Sequence, residues 1–447
     1  MAPCVYKRQQ HKKVLILGAG LSGIVAGKTL MDNGVDDFLI LEGQDYIGGR
    51  IKQHNFSGFN VELGANWIHL AEQEDSAPIW SLKQQKNILG CWNQSSNFII
   101  RNAKGADITD MESYRHWKKI ETEFEAKQEE RENDKKPEIP ARVGLALLDW
   151  KPDTAARKAI EYFCFDYDYG KRPELVSFKE LHVTEDDFFV ADQRGMIAMY
   201  EQLYEKFKEK IKLNTKVEEI SYSSSSVEVI TSEGEVFTAD YAICTFSTGV
   251  LASDMVTFNP PLPEWKREAI LKMPLSVYTK IFVKFPYKFW DEKDYILFAG
   301  DKRGYYPVFK NLESHGMFPE GSAMLLISVT EDEGRRIEKQ TFEETKTEIV
   351  ETLRKVYGQD VPEPTDIFYP RWSTNPFTLG SFSEPVVGIT PQDFKDLAMN
   401  LENLHFAGEA LDYEWFGYMQ GAYITGQRQG KMLSKLVKTK EGRETIE

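Results

Sequence analysis

The chain has 447 residues, 41% hydrophobic and 28% charged, the composition of a soluble globular protein long enough for two or three domains. With 55 Lys and Arg against 70 Asp and Glu, its net charge of −15 disfavours nucleic acid as a partner and favours cations near its surface. No apolar run of about 18 residues could span a membrane. Cys4, Cys91, Cys164 and Cys244 form no CxxC pair and lie near no His cluster, which argues against a metal site and a disulfide framework.

The most informative stretch comes first in the chain. Residues 14–17 form a short apolar run fit for a buried parallel strand. Gly18, Gly20 and Gly23, with Ser22 between them, follow in G-x-G-x-x-G spacing; Ile24, Ala26 and Leu30 then mark an amphipathic helix, and residues 38–41 a second strand ending in Glu42. This βαβ unit is built to hold a dinucleotide. Gly18 allows the tight turn, Gly20 lets the backbone approach a pyrophosphate, and Gly23 lets helix and strand pack closely. Glu42 can accept hydrogen bonds from ribose hydroxyls and would repel a 2′-phosphate. Gly48-Gly49-Arg50 tips the choice towards FAD, because a second glycine pair with a cation can meet the pyrophosphate from its other side.

Further along, residues 111–136 are charged, but Tyr114, Trp117, Ile120 and Phe124 recur at helical spacing, so one amphipathic helix with a solvated face is expected, stopping at Lys135-Lys136-Pro137. Residues 211–246 read as successive short strands, and residues 274–290 and 323–329 as strands of a second sheet. Residues 404–435 read as a strand, a glycine turn at Gly408-Glu409, an aromatic loop and a helix from about Ala422. A single βαβ unit cannot close a dinucleotide site, so later segments must return to it. The start, MAPCVYKRQQHKK, lacks an apolar secretory stretch and the end, GRETIE, carries no address, so a cytoplasmic location is expected.

The stretches GAGLSGIVAG with ILEGQDYIGGR, VELGANWIH, FFVADQRGM, VYTKIFVKFPYKFW and LHFAGEALDYEWFGYMQGAY resemble the flavin-containing amine oxidases, and within them the polyamine oxidases, over nearly the whole chain. The resemblance implies an α/β fold: a Rossmann-like FAD-binding domain from residues 12–85, 190–260 and 370–437, interleaved with an α+β substrate-binding domain from residues 86–189 and 261–369. Residues 1–11 and 438–447 are expected as flexible termini. It also implies hydride transfer from an amine to flavin N5, hydrolysis of the imine and formation of peroxide from oxygen. The reacting nitrogen must first shed a proton, its pKa in water being near about 10.4, and a desolvated aromatic site favours that.

By the same resemblance Lys280, set between Tyr278 and Phe282 on one face of an alternating strand, matches a lysine that holds a water beside N5. Tyr418 and Phe382 match the two aromatics that flank the amine. Trp372 and the Asn66-Trp67 turn match positions beside the flavin, Glu409 the glutamate of its ribityl or phosphate region, and Val217 the position whose backbone meets adenine. Where the family has Gly-Glu-His, this chain has Gly408-Glu409-Ala410. His69 stands where plant-type polyamine oxidases carry a glutamate and animal-type ones a histidine; Asp168 stands at a second plant-type glutamate. With Tyr167 and Tyr278 they are expected to hold the substrate's distal ammonium groups. No cysteine follows Cys244, so FAD is expected to be noncovalent. The expected partners are a small polyamine and oxygen, with no metal, nucleic acid or membrane, in a monomer or weak dimer. His69 points to back-conversion of spermine, thermospermine or spermidine. Terminal cleavage, acetylated substrates and a dehydrogenase with poor oxygen reactivity stay open.

Overall fold

The structure is a computed structural model that describes residues 7–8, 11–69, 77–182 and 187–444. Cys4, residues 1–6 and 9–10 of the expected flexible start, and residues 445–447 lie outside the described residues. The strand Lys12–Leu17 is fully buried over its last four residues and pairs in parallel with Phe38–Leu41 on one side and Glu235–Cys244 on the other. The helix Leu21–Asp32 lies between the first two in sequence, so the expected βαβ unit is present. Around it a nine-stranded sheet assembles from distant parts of the chain. Ile211–Lys212 extends one edge; beyond Glu235–Cys244 come Val227–Thr231, Val217–Tyr222 and Thr257–Asn259, and Lys7–Arg8 and Leu404–Phe406 pair in parallel with the start and the end of Glu235–Cys244. Gly18, Glu42, Thr245 and Ala407 therefore follow strands that end at one edge of the sheet, where open α/β sheets bind ligands.

Close helix packing sets the geometry of that edge. A Cβ at Gly23 would lie 2.0 Å from the Gly18 carbonyl oxygen, and one at Gly426 would lie 2.3 Å from that of Ser22. Only glycine lets the helix Leu21–Asp32 sit this tightly between the turn and the final helix, Met419–Glu444. That final helix starts three residues before the expected position, Tyr418 and Ala422 already sharing a helical hydrogen bond. It also runs through residues 438–444, expected as flexible, because Val437 is buried and Lys440 pairs with Asp240 at 2.6 Å.

A second sheet of six strands runs Asp366–Phe368, Tyr278–Lys284, Met324–Thr330, Val308–Asn311, Tyr295–Ala299 and Phe98–Asn102. Tyr278–Lys284 sits inside it with both faces covered: Ile281 and Val283 pack into one core, Tyr278 and Phe282 into others. The expected single helix over 111–136 is two, Met111–Glu121 and Phe124–Asn133. Thr122 turns its hydroxyl back onto the Lys119 carbonyl at 2.7 Å, and the chain restarts so that Phe124 is buried. A three-stranded sheet of Trp67–Ile68, Phe188–Val190 and Gly90–Trp92 lies beside Tyr278–Lys284, and no helix among the described residues is long and apolar enough to cross a membrane.

Candidate active site

One cavity of about 350 Å³ runs from the glycine turn to the second sheet. Gly18, Gly20, Ser22, Glu42, Gly49, Arg50, Asn66, Trp67, Val217, Trp372, Glu409, Tyr418, Phe382, Lys280, Tyr278, Tyr167, Asp168 and His69 all line it. Of the candidate cofactor, substrate and catalytic residues read from the sequence only Gly23 is off its wall, behind the turn against Gly18.

At the turn end, the helix Leu21–Asp32 begins without a side-chain cap and without an acidic residue in its first turn. The buried Ser22 hydroxyl has no partner among the described residues, and a Cβ at Gly20 would meet nothing within 4 Å. Free N–H groups, an orphaned hydroxyl and open space at a helix N-terminus fit an anion such as a pyrophosphate. Glu42 accepts from the Ala19 N–H at 2.7 Å and the Gln44 N–H at 2.9 Å, so it braces the turn while its remaining lone pairs face the cavity. Burial pushes its pKa up against those bonds. Gly49, at φ +60°, brings its chain within 3.3 Å of the Gly20 Cα, measured from an added Cβ. Arg50 follows and is fixed by the Ser381 carbonyl at 3.0 Å and by Glu409 at 2.7 Å. Glu409 also accepts from the Ser383 hydroxyl and from the Gly417 N–H at 2.9 Å. One carboxylate thus ties the Arg50 loop to the loops carrying Phe382 and Tyr418. The donor set fits FAD's diphosphate and ribityl groups.

Deeper in, Lys280 is 3% exposed, which excludes a solvated surface lysine. Its Nζ donates to the Gly64 carbonyl at 2.6 Å, the Asn66 side-chain oxygen at 3.1 Å and the Glu62 carbonyl at 3.3 Å, and lies 4.8 Å from the centre of the Trp67 ring. Burial pulls its pKa down to about 7 although the Glu62 carboxylate opposes this. Burial pushes Glu62 up to about 7; one of its oxygens accepts the Met196 N–H at 2.7 Å and the other has no partner among the described residues. The two titrate as a pair. Trp372 donates to the Leu63 carbonyl at 3.2 Å and stands over the same turn.

An aromatic passage leads on from there. Phe382 lies 6.1 Å from Tyr278, Tyr278 lies 5.7 Å from Tyr167, and Tyr418 meets His69 edge-on at 5.0 Å. His69 Nδ1 is 3.0 Å from Asp187. Burial works against its charge, but Asp187, with Asp168 behind, lifts the His69 pKa above its ordinary value. Asp168 is exposed towards the cavity while protein surrounds it; that enclosure first, then Asp187 and Glu121, push its pKa up to about 8. Lys118, paired with Glu121 at 2.5 Å, also lines this end. Glu62, His182 and Asp187 were not visible as site residues in the sequence. Asp187 ends the acidic run 185–187, where no spacing or motif marks it out, and Lys118 and Glu121 sit on the helix assigned a solvated face. For His182 no spacing or motif gave a signal.

The family model for flavin-containing amine oxidoreductases matches residues 21–91 and 92–430. Polyamine oxidase 7 of Oryza sativa subsp. japonica is 35% identical to this chain, over 93% of each, and polyamine oxidase 1 of Zea mays is 35% identical, over 94% of this chain and 90% of that one. The chain belongs to the flavin-containing amine oxidase family. It is accordingly a flavin-dependent amine oxidoreductase with FAD as its cofactor. A putrescine oxidase structure with bound putrescine superposes with a TM-score of 0.76 over 96% of this chain and 99% of that one at 18% identity, which shows the same fold.

Proposed function

We propose that this flavin-containing amine oxidase acts on polyamines, oxidising a secondary amine of spermine, thermospermine or spermidine by back-conversion to an aminoaldehyde, peroxide and a shorter polyamine. The observation that carries this is the continuity of an aromatic passage with an acidic one: Phe382, Tyr278, Tyr167 and Tyr418 lead to Asp168 and the His69–Asp187 pair in one cavity. Methylene stems suit the rings, and ammonium groups spaced along a chain suit the carboxylates. The relatives named polyamine oxidases support the same class.

Noncovalently bound FAD would be held by the glycine turn, Glu42, Arg50, Glu409 and the Val217 backbone, and it supplies the hydride acceptance that the side chains cannot. The chain's residues do the rest. Tyr418 and Phe382 flank the reacting methylene and exclude water, which favours the neutral amine. Lys280, poised near pH 7, holds or releases a proton at Nζ beside the Gly64–Trp67 turn. Asp168 draws in a distal ammonium, whose charge returns the raised carboxyl to its ionised form. His69 carries the argument for back-conversion: paired with Asp187, it puts an imidazole where a plant-type enzyme presents a carboxylate, and so moves the register of the bound chain.

The test is anaerobic addition of spermine to the yellow holoenzyme. Bleaching of the flavin is expected; a spectrum unchanged by spermine, thermospermine and spermidine would refute the substrate class.

A further inference from the structure

His182 lines the cavity but has no part in the reading so far. Its Nδ1 is 3.1 Å from the Glu180 carbonyl oxygen and its Nε2 is 3.1 Å from the Tyr418 hydroxyl. A carbonyl oxygen only accepts, so Nδ1 carries the proton. In the neutral ring Nε2 is then bare, and the Tyr418 O–H must donate to it. The residue is well fixed: Tyr169 donates to the His182 backbone carbonyl at 2.7 Å, and Phe416 meets the ring edge-on at 5.7 Å.

We propose that His182 is a positioning residue for amine oxidation: by accepting the hydrogen bond of the Tyr418 O–H, it makes that oxygen an acceptor towards the reacting nitrogen and leaves the amine lone pair free. The inference rests on the amine-oxidising reading of the site. When the α C–H bond breaks and its electron pair leaves as hydride to the family's flavin, the nitrogen lone pair becomes the new C=N bond, and the positive charge stays on the N–H. A hydroxyl donating to nitrogen would hold the lone pair back. A hydroxyl oxygen accepting from the N–H strengthens its bond as the charge grows, so it favours the transition state over the bound amine. Neither Tyr418 nor His182 gains or loses a proton in the step.

Protonation of His182 reverses the arrangement, because an Nε2–H donates to Tyr418 and turns its hydrogen towards the substrate. Burial, with the charge on His69 across Tyr418, keeps the His182 pKa below its ordinary 6.5, so the acceptor form prevails at neutral pH. The other titratable groups around the pair are Glu180 on its own segment, Tyr169, and the acids Asp187, Asp168 and Glu384 near Tyr418. Their titration is separated from that of His182 by the variants.

Flavin reduction by spermine should be followed anaerobically across pH 5.5–9 in the wild type, His182→Phe, His182→Gln, Tyr418→Phe and the His182→Phe/Tyr418→Phe double variant. His182→Phe is expected to slow reduction about tenfold or more at pH 8, to lose the part of the acid-side fall in rate that protonation of His182 adds to that of the amine, and to leave the amine's apparent Kd within about threefold. His182→Gln, whose amide oxygen can accept from Tyr418, should recover most of the rate. In the Tyr418→Phe background His182→Phe should change nothing further. Equal slowing in both backgrounds, or an unchanged acid limb, would overturn the proposal. Histidine ¹⁵N spectra of the holoenzyme supply a readout independent of turnover: Nε2 of His182 is expected to be unprotonated, and a protonated Nε2 would overturn it. A wild-type flavin that stays yellow with every polyamine would instead remove the amine-oxidising reading while leaving the tautomer measurement to decide this one.

Discussion

Replacing Lys280 with methionine separates the lysine's chemistry from its structural cost. The substitution removes an ammonium donated to three oxygens, at Gly64, Asn66 and Glu62, and fills the space with an apolar chain of similar length. In the wild type the folded chain holds this lysine near pH 7 against an ordinary 10.5. Between those values the unfolded chain binds a proton that the folded one refuses, so this residue makes the wild type more stable as pH rises, by about 1.4 kcal/mol per pH unit at most. From pH 7, where the folded lysine is half protonated, to pH 9 the gain is about 2 kcal/mol. Methionine cannot show it. Glu62, deprived of its nearby cation, stays protonated to higher pH in the variant; the folded chain then keeps a proton that the unfolded chain has released, so the variant's stability falls as pH rises over the same window and the two effects add. At about 2.1 cal/mol/K per residue over 447 residues, the gap in Tm between wild type and variant should widen by about 2 °C or more from pH 7 to pH 9. Calorimetry at several pH values, beside stopped-flow flavin reduction and reoxidation, is the assay. The variant should stay yellow while one of those rates falls about 10- to 1,000-fold. A pH-independent gap would refute the lowered pKa, and unchanged rates of both half-reactions would remove Lys280 from the mechanism.

Arg50→Ala should leave the fold intact but weaken FAD binding about 100-fold, read as a fluorescence titration of the apoprotein, because it removes the cation that Glu409 and Ser381 aim into the cavity. His69→Glu should change the preferred polyamine or the cleavage side more than FAD affinity, as product analysis would show. Asp187→Asn should return His69 towards its ordinary pKa. The wild-type pair stabilises the fold fully below about pH 6.5 and loses that contribution as pH rises through the raised His69 value, so unfolding curves of wild type and variant should differ more at pH 6 than at pH 8.

The parts legible in the sequence were those that local physics dictates. The apolar run before Gly18 and the glycine spacing specify a strand, turn and helix without help from elsewhere, and Tyr278–Lys284 announces itself by alternation and β-branched residues. Long-range contacts decided the rest. The break at Thr122 depends on where Phe124 finds a core, and the order through Glu444 depends on Asp240, about two hundred residues away in sequence. Asp187 and His182 look like loop polar residues until folding sets them beside His69 and Tyr418. Asp168 was visible only through the family pattern, since an isolated aspartate is usually solvated, and its enclosure beside Asp187 and Glu121 exists only in three dimensions.

The central claim is tested most directly by mass spectrometry of the products after aerobic incubation of the holoenzyme with spermine, thermospermine and spermidine separately. Spermidine with 3-aminopropanal and peroxide from the tetraamines is the expected result. Release of 1,3-diaminopropane would contradict the cleavage side inferred from His69, and recovery of all three polyamines unchanged would contradict the claim itself.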